Sequence, residues 1–173
     1  MSDVSITIRE AIPADAAEIL AVMKQLSRET DFLVLDEVGM QLTPELLALN
    51  LADIYESENN LLLLALADEK IIGTASVKAA VDPSVAHIGE IGISILKAYW
   101  GIGLGSALLE EIIVWAQASG VIRRLELTVQ VRNTRAIGLY QKFDFVKEGT
   151  LARGVRSAEG EFLPVDLMRR LID

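Results

Sequence analysis

The chain has no cysteine in its 173 residues. That excludes a disulfide framework, a thiolate metal site and a cysteine nucleophile, so any acyl transfer has to avoid a cysteinyl intermediate. Histidine is also scarce: His87 stands alone, and no His/Asp/Glu cluster has metal-ligand spacing, so no metal is expected. Positive charge is short as well, with 16 Lys and Arg against 25 Asp and Glu for a formal net charge of −9. Such a balance disfavours a nucleic-acid backbone as partner and accommodates a cationic acceptor more easily. Long apolar runs are missing: Leu61 to Ala67 is too short to cross a bilayer, and Met1 to Glu10 lacks a basic start followed by an apolar stretch. A cytoplasmic protein without a membrane partner is the expectation. There is no internal repeat and no Pro/Gly/Ser linker, and the length suits one domain over residues 1–173.

What the chain does have is glycine at alternate positions in Tyr99-Trp100-Gly101-Ile102-Gly103-Leu104-Gly105-Ser106. An apolar stretch, His87 to Leu96, precedes it, and Leu104, Leu108, Ile112 and Trp115 recur after it at helical spacing. The pattern predicts strand, glycine loop, helix. Backbone N–H groups of Gly101, Gly103, Gly105 and Ser106, together with the unpaired donors and positive dipole end of a helix, form a cradle for a pyrophosphate. A Walker loop would need a lysine that is absent between Gly101 and the helix body. A dinucleotide loop would need glycine where Ser106 stands and a chain long enough for two mononucleotide-binding halves; it stays as an alternative, with Glu126 as its distant acid.

Periodicity gives the remaining elements. Val4 to Glu10 alternates as a half-buried strand; Pro13 opens a helix with Ala16, Ile19, Leu20 and Met23 inward; Thr43-Pro44-Glu45 starts another with Leu47, Leu51 and Ile54 inward. Leu61–Ala67 and Ile71–Val77 flank Asp68-Glu69-Lys70 as a hairpin, the first strand buried on both faces. Leu125–Val129 alternates, Asn133 caps a helix carrying Ala136, Tyr140 and Phe143, and two closing strands follow, the last spanning Phe162 to Leu171. The order is β-α-α-β-β-β-α-β-α-β-β.

Residues 93–106 resemble motif A of the GNAT superfamily of N-acetyltransferases, Arg/Gln-x-x-Gly-x-Gly/Ala after a strand, with Gly103 and Gly105 at the two glycines and Trp100 in the Arg/Gln place. Residues from Asn133 through Tyr140 to Phe145 resemble motif B, with Asp144 in place of its usual glycine. The resemblance implies a single-domain α/β fold of the α+β kind: a mixed, mostly antiparallel sheet with helices on both faces. It also implies acetyl-CoA as co-substrate and direct transfer of acetyl to a primary amine, small molecule or peptide, in a ternary complex; a homodimer is compatible with it. Ile93 and Ile95 would offer backbone groups to the pantetheine, Asn133 would contact the cofactor, and Tyr140 would be general acid. Glu90 would be the base acting through water, with Glu126 as second candidate and His87 as helper. The resemblance places the acceptor region at Glu29 to Gln41, including Asp31, Asp36 and Glu37; Arg153 and Arg156 could hold an acceptor carboxylate. A non-catalytic acyl-CoA-binding or regulatory module would keep the same cradle and lack turnover.

Overall fold

The computed structural model describes residues 3–30 and 42–173. Asp31, Asp36 and Glu37 lie outside the described residues. Strand β1 (Ile6–Glu10) leads through a 3-10 turn (Pro13–Asp15) into α1 (Ala16–Glu29) and then α2 (Pro44–Glu56). Strands β2 (Leu61–Ala67), β3 (Lys70–Lys78) and β4 (Ile88–Ile95) follow. Helix α3 (Leu104–Ser119), β5 (Arg124–Gln130), α4 (Thr134–Lys142), β6 (Val146–Arg156) and β7 (Phe162–Leu171) complete the chain. The seven strands lie in the order β1-β2-β3-β4-β5-β7-β6. Of their pairings only β4 with β5 is parallel. A dinucleotide fold needs an extended parallel sheet, so this topology rules that alternative out.

Local chemistry explains the element ends. Thr43 Oγ1 accepts from Leu46 N at 3.2 Å, and Pro44 at the first helical position needs no donor there. The β2–β3 connection is tight because Asp68 and Glu69 both take left-handed φ, 47° and 71°, which matches the twist of a two-residue hairpin. Asp15 holds the chain where β1 turns into α1: its two carboxylate oxygens accept from the Arg9 guanidinium at 2.8 Å each, and Oδ2 also accepts from Ile12 N at 2.8 Å. Those donors hold the Asp15 carboxyl below its ordinary pKa, the Arg9 hydrogen bonds being the main cause. The apolar run of β2 is buried on both faces, so helices must cover the sheet from both sides. Leu64, Ala65, Ile71, Ile72, Ala75, Leu108, Leu109 and Ile112 form the sealed centre. No helix among the described residues is long and apolar enough to cross a membrane.

Strand β6 is longer than the sequence suggests. It is the sheet edge, mostly exposed along its length, so it lacks the apolar alternation by which a buried strand is recognised. Its register breaks between Leu151 and Val155, where Arg153 has φ 55°. Arg153 and Arg156 therefore belong to the β6 edge.

Candidate active site

The site is built around a fork in the sheet. Parallel pairing of β4 with β5 covers Ile88↔Arg124, Gly89↔Leu125 and Glu90↔Glu126 and stops there, although both strands continue. Leu96 N donates to Ile72 O at 2.9 Å. In an antiparallel ladder, bonded residues alternate, so the N–H and C=O groups of Ile91, Ile93 and Ile95 point away from β3, toward the gap left by β5. An extended amide ligand could pair with them as an extra strand.

The same ladder sorts the side chains. Val77, Ala75 and Gly73 pair with Ile91, Ile93 and Ile95 on one face, which lies against the helix: a Cβ added to Gly105 would sit 3.7 Å from Ile95 Cδ1. The other face carries Lys78 beside Glu90, Ser76 beside Gly92 and Thr74 beside Ser94. Glu90, at the vertex of the fork, is exposed on this polar face and shares it with Glu126. The two acids differ in their partners. Glu126 Oε2 accepts from Arg124 Nε at 2.7 Å, and Arg124 also bonds Glu148, which Arg169 approaches at 3.2 Å. Glu126 is thus committed to an ion-pair network, whereas no hydrogen bond or ion pair engages Glu90 among the described residues. His87 is exposed in the turn before β4, and its carbonyl receives Arg123 N and Arg124 N.

Beyond β4, the chain turns through Lys97–Tyr99 into the glycine loop. Gly101 (φ 80°) and Gly103 (φ 85°) are left-handed, a conformation that side-chain-bearing residues enter at a cost. Gly103 is the N-cap of α3 and supplies no side-chain cap; the first helical bond is Ala107 N to Gly103 O at 3.1 Å. The N–H groups of Gly103, Leu104, Gly105 and Ser106 are therefore the helix's four unpaired donors. A Cβ on Gly103 would meet nothing within 4 Å, so the cap position itself is open. This arrangement fits a pyrophosphate. Gly105 has a different reason to be glycine: its added Cβ would lie 3.2 Å from Leu139 Cδ2, so it lets α4 approach the start of α3.

Helix α4 presents Tyr140. Asn133 caps the helix, its Oδ1 accepting from Ala136 N at 3.3 Å. At the other end Phe145 N bonds Tyr140 O and Asp144 N bonds Gln141 O, both at 3.1 Å, with Asp144 at φ 65°. This is a Schellman closure, and its usual apolar contact is the Tyr140–Phe145 ring pair, 5.7 Å between centroids. Asp144 thus takes the left-handed conformation for which the motif normally uses glycine, and the turn is retained. The Tyr140 residue is 8% exposed, and burial pushes its phenol up to about 12. Its hydroxyl makes no hydrogen bond among the described residues, yet no sealed side-chain polar atom there lacks a partner. The oxygen therefore keeps contact with solvent while the ring is buried.

Three features were not visible in the sequence. Trp100 Nε1 donates to Ile95 O at 2.7 Å, so one of the two strand carbonyls expected to be open is taken by the indole. Glu29 Oε2 accepts from Lys97 N at 2.8 Å, tying the end of α1 to the loop that precedes the cradle. Arg135 lies with its guanidinium carbon 5.3 Å from the Trp100 ring centroid. No local periodicity marks any of these contacts. Arg153 and Arg156 lie apart from the fork, both stacked over exposed Phe162 at 5.7 and 5.6 Å on the β6–β7 hairpin. A depression lined by residues including Ser57, Trp115 and Gly120 is at the C-terminal end of α3, about 24 Å along the helix from the cradle.

The profile of the Acetyltransferase (GNAT) family matches residues 24–145. The chain belongs to this family. A solved structure described as the acetyltransferase of GNAT family from Streptococcus pneumoniae is 49% identical, covers 97% of this chain and 100% of its own, and superposes with a TM-score of 0.94. The L-amino acid N-acetyltransferase AaaT of Escherichia coli K12 is 30% identical over 63% of this chain and 67% of its own. The fold also matches yncA of Salmonella typhimurium, a putative acetyltransferase solved with acetyl-CoA, at a TM-score of 0.84 and 19% identity over 98% of this chain and 95% of that one. This GNAT protein is an acetyl-CoA-dependent N-acetyltransferase. Family and fold agree with the fork and the cradle in giving acetyl-CoA as co-substrate.

Proposed function

We propose that this GNAT enzyme acetylates the primary amine of a small molecule by direct attack in a ternary complex, with Glu90 as base and Tyr140 as acid. Bound acetyl-CoA supplies an activated acetyl group and a sulfur leaving group. The backbone of Ile93 and the N–H of Ile95 are disposed to orient an amide-bearing arm in the fork, and Gly101, Gly103, Gly105 and Ser106 to hold the diphosphate. In the same proposal Asn133, at the adjoining start of α4, reaches the arm with its amide nitrogen.

An ammonium has to lose a proton before it attacks, and an exposed carboxylate at the fork can receive it through water. The single observation favouring Glu90 over Glu126 is that Arg124 already engages Glu126, leaving Glu90 free to exchange a proton. Tyr140 stays protonated at neutral pH because burial disfavours its phenolate, so it can donate to a departing thiolate. With no cysteine in the chain, direct transfer needs no cysteinyl carrier. The Escherichia coli relative is named for L-amino acids, and a carboxylate-bearing acceptor would suit Arg153 or Arg156 if one of them turned inward.

A panel of amines scored for CoA release identifies the acceptor, and initial rates against both substrates then test the mechanism. Intersecting lines, with Glu90→Gln slowed at least tenfold and Glu126→Gln within threefold of wild type, are expected. Parallel lines with a trapped acetyl-enzyme overturn direct transfer. A Glu126→Gln loss as large as that of Glu90→Gln removes the assignment of the base.

A further inference from the structure

We propose that Arg135, seated on Trp100, is a phosphate-binding residue for the CoA moiety and supplies from α4 the polar side chain that the glycine motif lacks at position 100. The inference rests on the acetyl-CoA reading and extends it to a residue outside the loop. No Lys or Arg occurs from Gly101 to Ala116, so the cradle's own segment offers backbone donors and no cation.

The placement of Arg135 follows from helix geometry. Residues four apart share a helix face, so Arg135 lies on the side of α4 that carries Leu139, and Leu139 packs at the first turn of α3 beside Gly105. The guanidinium reaches back to the loop: Nη2 is 3.9 Å from where a Cβ on Gly101 would be. Its carbon stands 5.3 Å from the Trp100 ring centroid, within cation–π range. Trp100 is itself fixed, because its Nε1–H is bonded to Ile95 O at 2.7 Å. One indole thus joins the end of β4 to the guanidinium, and Arg135 is presented beside the four free N–H groups of α3.

Ordinary reasons for an arginine at this position are weak. It falls in the first turn of α4, where the helix dipole disfavours a cation. Among the described residues it makes no ion pair, although the chain carries a formal net charge of −9. Among the described residues its five N–H donors are open, and stacking on an indole leaves the guanidinium edge free for the paired contacts that phosphate oxygens accept. A cation held without an acidic partner, next to an anion cradle, is suited to the ligand's charge.

Calorimetry with CoA and with 3′-dephospho-CoA tests this on the full chain, with circular dichroism and thermal unfolding as folding controls. Arg135→Ala and Arg135→Gln are expected to bind CoA about tenfold more weakly at an unchanged unfolding temperature, since the side chain is exposed. Trp100→Leu, which keeps the arginine and removes its platform, should lose at least threefold, and Trp100→Phe should lose less. If the Arg135 variants lose less with dephospho-CoA than with CoA, the 3′-phosphate is the group contacted; an equal loss places the contact on the diphosphate. Folded Arg135→Ala and Arg135→Gln proteins that bind CoA within twofold of wild type overturn the proposal. Wild-type protein that binds neither ligand overturns the acetyl-CoA reading instead, which keeps the two failures distinct.

Discussion

Replacing Tyr140 by phenylalanine removes one oxygen and nothing else, which makes it a sharp probe of both chemistry and burial. The ring is packed against Phe145, and the hydroxyl has no hydrogen-bond partner among the described residues, so no buried donor or acceptor is orphaned by the change. Stability at pH 7 should therefore stay within about 0.5 kcal/mol of wild type. Alkaline pH is where the proteins should part. Tyrosine ionises near 10 in the unfolded chain and, because of burial, at about 12 in the fold. Between those values the unfolded state holds fewer protons than the native one, so wild-type stability falls as pH rises. At 1.36 kcal/mol per pH unit the shift corresponds to a contribution on the order of 2–3 kcal/mol, fully present below pH 10 and lost as pH rises through the folded value. Phenylalanine has no such term. Urea unfolding from pH 8 to 12 should show the variant gaining on wild type by that order, while kcat on a confirmed acceptor falls at least about tenfold, since general acid catalysis contributes 10² to 10⁴-fold and thiolate is already a tolerable leaving group. Parallel alkaline limbs would refute the burial argument. Unchanged kcat, with chemistry shown to limit turnover, would reduce Tyr140 to a packing residue.

Gly103→Val should weaken CoA binding more than tenfold, about 1.4 kcal/mol, because the branched side chain enters the space before the free N–H groups and strains a φ of 85°; unchanged calorimetric affinity in a folded variant would remove the loop from the site. Asp144→Gly should raise stability in chemical denaturation by about 0.5 kcal/mol, relieving a left-handed φ of 65° at the cost of a 4.0 Å approach to Arg170 by an exposed carboxylate; a loss larger than 0.5 kcal/mol would contradict the strain argument. Asp15→Asn should cost about 1–2 kcal/mol at neutral pH. The folded Asp15 pKa is depressed, so that difference is full above the ordinary carboxylate pKa and fades as pH falls through the folded value; a gap that does not narrow as pH falls below the ordinary carboxylate range in urea titrations would show that charge is not what Arg9 reads.

Much of this protein was legible in its sequence because the signals are local. The caps at Thr43 and Asn133 and the two-sided apolar run of Leu61–Ala67 each depend on residues within a turn or two of chain. So does the glycine loop between β4 and α3, and all four formed as read; the left-handed φ of Gly101 and Gly103 came only with the structure. The element order followed, and with it the family. Tertiary structure decided what depends on partners distant in sequence. Alternation could not say which way Glu90 points; its pairing with Lys78 on one side and Glu126 on the other does. The parting of β4 from β5 after Glu90, the linking of Arg124 to Glu148 across the sheet, and the seating of Arg135 on Trp100 also arise from contacts across the sheet or between helices. Sequence periodicity reports which face a residue takes within its own element; which neighbour meets that face is set by how the elements pack, and the direction of a base or the platform of a cation is a property of that packing.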